Sequence, residues 1–453
     1  MNTKNFVNFH VLISHSPSCL NRDDSNMQKT AVFGGVTRVR ISSQSLKRAM
    51  RRPPETGPNY WAEHLGDPSF RTRSLEKAKA ELVKALGDEF DRELIEEAAT
   101  RFVRTVTSAE DVGSDPEETP AASDEAAEEG KDAEKALAVA PWVNNEIREI
   151  CRILKEVKAQ GLSEDERQKA LKKVGKTEGK GKDKRKLTEA DCLADALNDK
   201  IAKRLKESAE LIRGAIGDAL DIALFGRMAT SGLMTSVDGA MAVAHVITTH
   251  AVEPQDVDWF TAVDDLTEDS GETGAGHLNT QQFSAGVFYR YASLNLKQLQ
   301  VNLGLIGGMK APETAESRAR ALGIAKHLFH MLATVVPSAM QGRHAAFNPA
   351  DFAIVSFSDQ PISLANAFEA PIQRGRNGGG YLSPSMVELA EYWRRLNSAY
   401  GLNEAAAAFR FGDEPWGDGA KKPWPDKLAA FGTLSGLESW IARDGQGSEN
   451  GDA

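Results

Sequence analysis

VTRVRISSQSLKRAMRR, residues 36–52, reads as a strand running straight into a helix. Arg38, Val39, Arg40 and Ile41 alternate polar and apolar, the period of a half-buried strand. Ser42 or Ser43 is then a good N-cap, and the helix runs through Arg51 until Pro53 and Pro54 stop it. Lys47 and Arg51 are four apart and share a helix face, while Arg38 and Arg40 share a strand face. Ser42, Ser43 and Gln44 stand at the helix N-terminus, where free backbone N–H groups favour phosphate. Hydroxyls, an amide and long cations on one surface suit a phosphodiester backbone. A solvated basic helix has the same spacing.

Working outward, FVNFHVLI at residues 6–13 reads as a strand, followed by a polar, turn-forming stretch that ends at Gly34 and Gly35. Amphipathic helical patterns dominate from about 75 to 228, ending in a long helix from about 189 to 224. VDGAMAVAHVITTHAV, residues 237–252, reads as one long strand, and a polar excursion with an aromatic pair follows it. GVFYRYASLNLKQLQVNL is a strand leading into a helix, residues 315–336 form an amphipathic helix, and DFAIVSFSD is a last core strand. A helix at 383–400 precedes Gly401, a C-terminal stop. The order β-α-β-β-α-β with large insertions is that of ferredoxin-like, RNA-recognition-motif-like domains, so the expected class is α+β.

Charge is segregated. The 453 residues carry a net charge of −10, which argues against a bulk nucleic-acid binder, but phosphate binding needs only a local basic face. Residues 110–135 hold eleven acids against two lysines, and residues 167–186 hold ten bases against two acids. Such blocks are commonly solvated or disordered. Three cysteines without CxxC spacing give neither a disulfide framework nor a zinc site, and they read as idle thiols in a reducing cytoplasm. No stretch approaches the ~20 apolar residues of a membrane helix. A cytoplasmic protein without cofactor or membrane partner is expected.

Three further places could carry chemistry. LNRDDSNMQK, residues 20–29, offers Asn21, Arg22 and Lys29 as donors. Its Asp23 and Asp24 form either a metal-binding pair or an Asx-type turn. Arg227 beside Met228 could set a cation and an apolar wedge against a base, although a methionine there also suits a core. Trp259 and Phe260 could stack on bases from a projecting hairpin or simply pack within it. No histidine cluster has metal spacing, and nothing pairs a nucleophile with a base.

Longer stretches carry a resemblance. NFHVLISHSPSCLNRDD, the FGG at 33–35, RVRISSQSLKRAMR, LFGRMATSGLM, VDGAMAVAHVITTH, DWFTAVDDL, QQFSAGVFYRYASLNL, AAFNPADF and LANAFE run in order over most of the chain. Together they resemble the CasC family, the backbone subunits of type I-E CRISPR Cascade complexes. The resemblance implies a ferredoxin-like palm (1–55, 226–251 and 285–445), helical fingers (56–225), a hairpin thumb (252–284) and a frayed tail (446–453). The charged part of the fingers, about 110–186, looks like an expansion and inherits no function.

It also implies a function. The partners would be a CRISPR guide RNA (crRNA), the target DNA strand through that guide, about six head-to-tail copies of the chain, and other Cascade subunits. Asn21, Arg22, Lys29, Ser42, Gln44, Lys47 and Arg51 would hold guide phosphates. Met228 would brace the RNA near a kink, and Phe260 would be the thumb's wedge. The competing expectation is an endoribonuclease of the type III backbone kind, using Asp23 or Asp24.

Overall fold

The computed structural model describes residues 4–52, 59–72, 74–103, 140–175, 177–178, 185–228, 233, 235–260, 278–375, 379–412 and 424–447. The chain divides into two units, Met1–Pro68 with Gly239–Ala453, and Ser69–Asp238.

The first unit is built on a ten-stranded sheet. Its strands are β1 (Phe6–Ser18), β2 (Thr30–Phe33), β3 (Val36–Ile41), β4 (Met241–Val243), β5 (Val246–Thr248), β6 (Gln255–Phe260), β7 (Leu278–Asn295), β8 (Phe352–Ser358), β9 (Ala405–Arg410) and β10 (Leu428–Phe431). The spatial order is β10-β9-β8-β1-β7-β5-β3-β2, with β4 and β6 also pairing β7. Every pair is antiparallel except β9–β10.

Both faces of β1 are covered. Val7, Phe9, Val11 and Ile13 point one way, and Phe9 stacks on Phe329 of the Ala315–Thr334 helix at 6.3 Å. Leu12 faces the other way, into a cluster with Leu364, Phe368, Leu389 and Trp393, the last two from the Leu382–Tyr400 helix. His10 shares the alternation of Leu12 and is also buried. Leu364 N–H donates to the Tyr289 hydroxyl at 3.1 Å, which leaves that hydroxyl's proton for His10 Nδ1 at 2.9 Å. Burial pushes the His10 pKa down to about 3, so the ring is neutral. RNA-recognition motifs stack bases on an exposed sheet face. Here helices and loops cover both faces of β1, so it offers no open face of that kind.

Several elements differ from the sequence reading. The long strand expected at 237–252 is two short ones. Val243 pairs Ala292 and Ile247 pairs Tyr289, so four steps on one strand meet three on the other. That extra residue is a bulge, and His245 sits in it. β2 replaces part of the expected turn segment. The long helix expected at 189–224 is broken into Glu189–Glu207, Ala209–Gly214, a 3-10 turn and Leu220–Phe225.

The second unit is mainly helical. The helices Leu75–Leu86, Arg92–Val103, Asn144–Gln160 and Glu189–Glu207 bury Leu82, Ile95, Phe102, Ile150, Leu154 and Leu205 around Trp142. All of the acidic block lies outside the described residues, as does part of the basic one. All three cysteines are buried and free, and burial pushes the Cys151 thiol up to about 12. Among the described residues no helix is long and apolar enough to cross a membrane.

Candidate nucleic-acid interface

The corner between β1, β3 and the Ser43–Arg51 helix is held by its own polar groups. Ser42 is the N-cap, and its Oγ accepts from Ser45 N–H at 3.2 Å. Ser42 N–H donates to Asn21 Oδ1 at 2.8 Å, and Ser43 N–H to Nδ1 of the bulged His245 at 3.1 Å. Three backbone donors at this helix start are therefore satisfied internally. The expectation of free N–H groups for phosphate is corrected to that extent. Asn21 and Ser42 build the corner, and what reaches solvent is the row of side chains beyond it.

The loop before β2 is similarly self-contained. Asp23 Oδ1 accepts from Ser25 N–H at 3.0 Å and Met27 N–H at 2.9 Å, an Asx-type turn around left-handed Asn26 (φ 64°). Arg22 is exposed and donates to Asn26 Oδ1 at 2.5 Å. Lys29 N–H donates to Asn21 O, and Arg40 N–H to Lys29 O, both at 2.9 Å, which lays the loop's end along β3. Asp23 thus forms the Asx-type turn that was one of the two readings of the aspartate pair. No group of three His, Cys, Asp or Glu able to hold a metal exists among the described residues.

The helix turns Leu46, Met50 and Arg51 inward, and Gln44, Arg48 and Arg52 outward. Arg51 is 5% exposed, so the expected Lys47–Arg51 face is corrected: Lys47 is half-buried and Arg51 points in. Arg48 and Arg52, which the sequence reading passed over, are the outward cations. The i, i+4, i+8 spacing from Gln44 could have found them once Leu46 and Met50 were read as the buried stripe.

Arg38 and Arg40 also part company. Arg40 is half-exposed. Arg38 is fully buried, and its guanidinium donates to the carbonyls of Phe33 (3.2 Å), Thr248 (3.1 Å), Phe368 (2.8 Å) and Glu369 (3.4 Å). It fastens the β2–β3 hairpin and does not extend a surface patch.

Arg227 is likewise corrected from a surface cation to a buried one. It grips Glu146 with two bonds, at 2.6 and 2.8 Å, and gives Nε–H to Thr235 O at 3.0 Å. Burial raises the Glu146 pKa, opposed by Arg227. Its neighbour Met228 is 91% exposed. The backbones of Trp259 and Phe260 pair with Asn279 and Leu278 in the β6–β7 ribbon, and residues 261–277 of the expected thumb lie outside the described residues.

In the helical unit some cations are paired, while others, among them Lys77, Lys155 and Arg213, are exposed without an ion pair among the described residues, as at this corner. Among the unit's ion pairs are Arg92–Glu96, Arg101–Glu97, Arg148–Glu89, Lys158–Glu97 and Lys200–Glu166. At the corner Lys29, Arg40, Arg48 and Arg52 have no ion-pair partner among the described residues. Unpaired cations projecting from a rigid corner favour a polyanion.

A family model described as CT1975-like protein matches residues 7–422. A solved chain from a "CRISPR RNA-guided surveillance complex, pre-nicking" is 27% identical, with TM-score 0.64, covering 97% of this chain and 100% of that one. Another, from a "CRISPR RNA-guided surveillance complex", is 20% identical, with TM-score 0.51 and the same coverage, a likeness of fold alone. No curated protein matches this chain.

Proposed function

We propose, from the premise that this chain belongs to the CT1975-like protein family of Cas proteins and is a Cascade-type component, that it is the guide-RNA-binding backbone subunit of a type I-E complex. The observation that carries the reading is the row of cations without an ion pair among the described residues, Lys29, Arg40, Arg48 and Arg52, beside exposed Arg22 and Gln44 and half-buried Lys47. These groups hold the guide's phosphates without reading its sequence, since guide–target pairing supplies specificity. A ferredoxin-like palm accords with the central order β8-β1-β7-β5, all antiparallel, with helices in the connections. The β6–β7 ribbon is the base of the thumb, and the helical unit is the fingers.

About six copies stack head to tail on one guide, a heterologous contact that extends as a helix until other Cascade subunits cap it. The stack presents the guide's bases in order to a target DNA strand. Pre-ordering lowers the entropy cost of pairing. The protein works in the cytoplasm, in antiviral defence, and its role is structural.

Native mass spectrometry of the chain co-expressed with a guide RNA and companion subunits tests this. Several copies on one intact guide are expected. One copy per RNA would reduce the chain to a stand-alone binding module. A guide cut at regular intervals, with cutting lost in Asp23→Ala or Asp24→Ala, would replace the reading with a nuclease.

A further inference from the structure

Buried Arg38 also holds the Phe368 and Glu369 carbonyls, and so fixes the start of the loop leading to Tyr381. The β2–β3 turn touches the same point. A Cβ on Gly34 would lie 1.6 Å from the Glu369 oxygen, so hairpin and loop are in backbone contact. Ile372 N–H then donates to Thr249 O, and Gly375 N–H to Gly380 O, each at 3.0 Å. On this closed loop Arg374 is exposed. Its guanidinium lies 5.7 Å from the centre of the Tyr381 ring, and its Nε–H donates to the Tyr381 hydroxyl at 3.2 Å.

Tyr381 in turn lies flat on His250, with centroids 3.7 Å apart and planes 10° apart. Both nitrogens of His250 are committed: Nδ1–H donates to Ala251 O at 3.0 Å, and Nε2 accepts from Val287 N–H at 3.2 Å. The ring is therefore neutral. Burial lowers its pKa, and the nearby Arg38 and Arg374 charges add to that. A neutral, hydrogen-bonded platform thus carries an exposed guanidinium. Arg374 has no carboxylate partner among the described residues.

We infer that Arg374, oriented by Tyr381 and His250, is a second grip on the phosphodiester backbone of single-stranded RNA. It rests on the RNA-binding reading above. Val252 N–H donates to Thr37 O, so this platform stands at the start of β3, while the cationic helix follows its end. Five strand residues separate them by about 16 Å. The thumb ribbon also rises from this corner, beginning at Gln255. A pre-ordered guanidinium fork suits phosphate, and stacking on a ring is a role lysine does not fill.

The test is fluorescence anisotropy of the purified chain with a labelled mixed-sequence single-stranded RNA across a KCl series. Arg374→Ala should weaken binding about tenfold and lower the log–log salt slope by about 0.7. Arg374→Lys should keep the slope and lose part of the affinity. Tyr381→Phe keeps the ring and removes the hydroxyl, and should fall between wild type and Arg374→Ala.

An Arg374→Ala protein with wild-type affinity and slope, beside an Arg48→Ala/Arg52→Ala protein that loses both, would overturn this grip and leave the RNA reading standing. A wild-type chain that binds no RNA would end both. The same loss on single-stranded DNA would support a grip on phosphodiester alone, and a loss on DNA only would overturn the RNA assignment.

Discussion

The corner at residues 36–52 and the return at 226–238 each combine a buried arginine with side chains left in solvent, and they bury it by different means. Arg38 lies among four carbonyl oxygens, with no carboxylate bonded to it among the described residues. Arg227 lies against the Glu146 carboxylate. Carbonyl dipoles satisfy a guanidinium without creating a second buried charge. A carboxylate neutralises it, but is itself stranded if the arginine is lost. The first arrangement is a fastener for backbone, the second a clamp that works only as a pair.

The clamp should give the largest effect. Arg227→Met leaves Glu146 buried and unpartnered, at a cost of about 3–5 kcal/mol. Hydrogen exchange across the Asn144–Gln160 helix should read that loss locally. In the variant the Glu146 pKa rises further above its unfolded value, because the one group lowering it has gone. A raised carboxyl contributes stability below the unfolded pKa and loses it as pH rises through the folded one. The deficit should therefore shrink as pH falls from 8 toward the ordinary carboxylate range, about 4. Replacing both partners, Arg227→Met with Glu146→Leu, should recover much of the stability. A double variant as unstable as the single one would break the pair argument.

Arg38→Met should cost less, about 3 kcal/mol, because neutral carbonyls are left behind and no charge is stranded. The exchange rates of β2 and β3 should report it, with little pH dependence. A deficit that follows pH as Arg227→Met does would mean that Arg38 is paired with Glu369, whose charge partly offsets the lowering of the Arg38 pKa by burial. Ser42→Ala removes one cap bond and should cost about 1 kcal/mol, confined to the Ser43–Arg51 helix.

These contrasts show what local sequence could carry. The strand at 36–41, its continuation into a helix and the cap at Ser42 are written in neighbouring residues, and they fold as read. The alternation of Arg38 and Arg40 is also local, but it cannot say which side chain goes inside. The partners that decide it, Thr248 and Phe368, are 210 and 330 residues away. Glu146, 81 residues from Arg227, decides the other clamp. The broken strand at 241–248 follows from a bulge against β7, again a distant partner. Arg48 and Arg52 were within reach of a stricter helical count. Arg374 carries no local signal, because the His250 ring that seats its Tyr381 partner is distant in sequence.

The smallest expected effect isolates the exposed tip from its clamp. Met228 is 91% exposed, so Met228→Ala should change stability by less than about 0.5 kcal/mol. If its thioether braces RNA, the same change should weaken RNA binding by about two- to fivefold, the scale of a sulfur–ring contact. Arg227→Met should weaken RNA binding too, by freeing the base of the same return. In a Met228→Ala background, however, it should add little, because the group it positions is already gone. A double-mutant cycle separates the cases. Strong coupling makes Arg227 the positioning residue for Met228. Additive losses would mean that Arg227 serves the fold alone and that the two neighbours act independently.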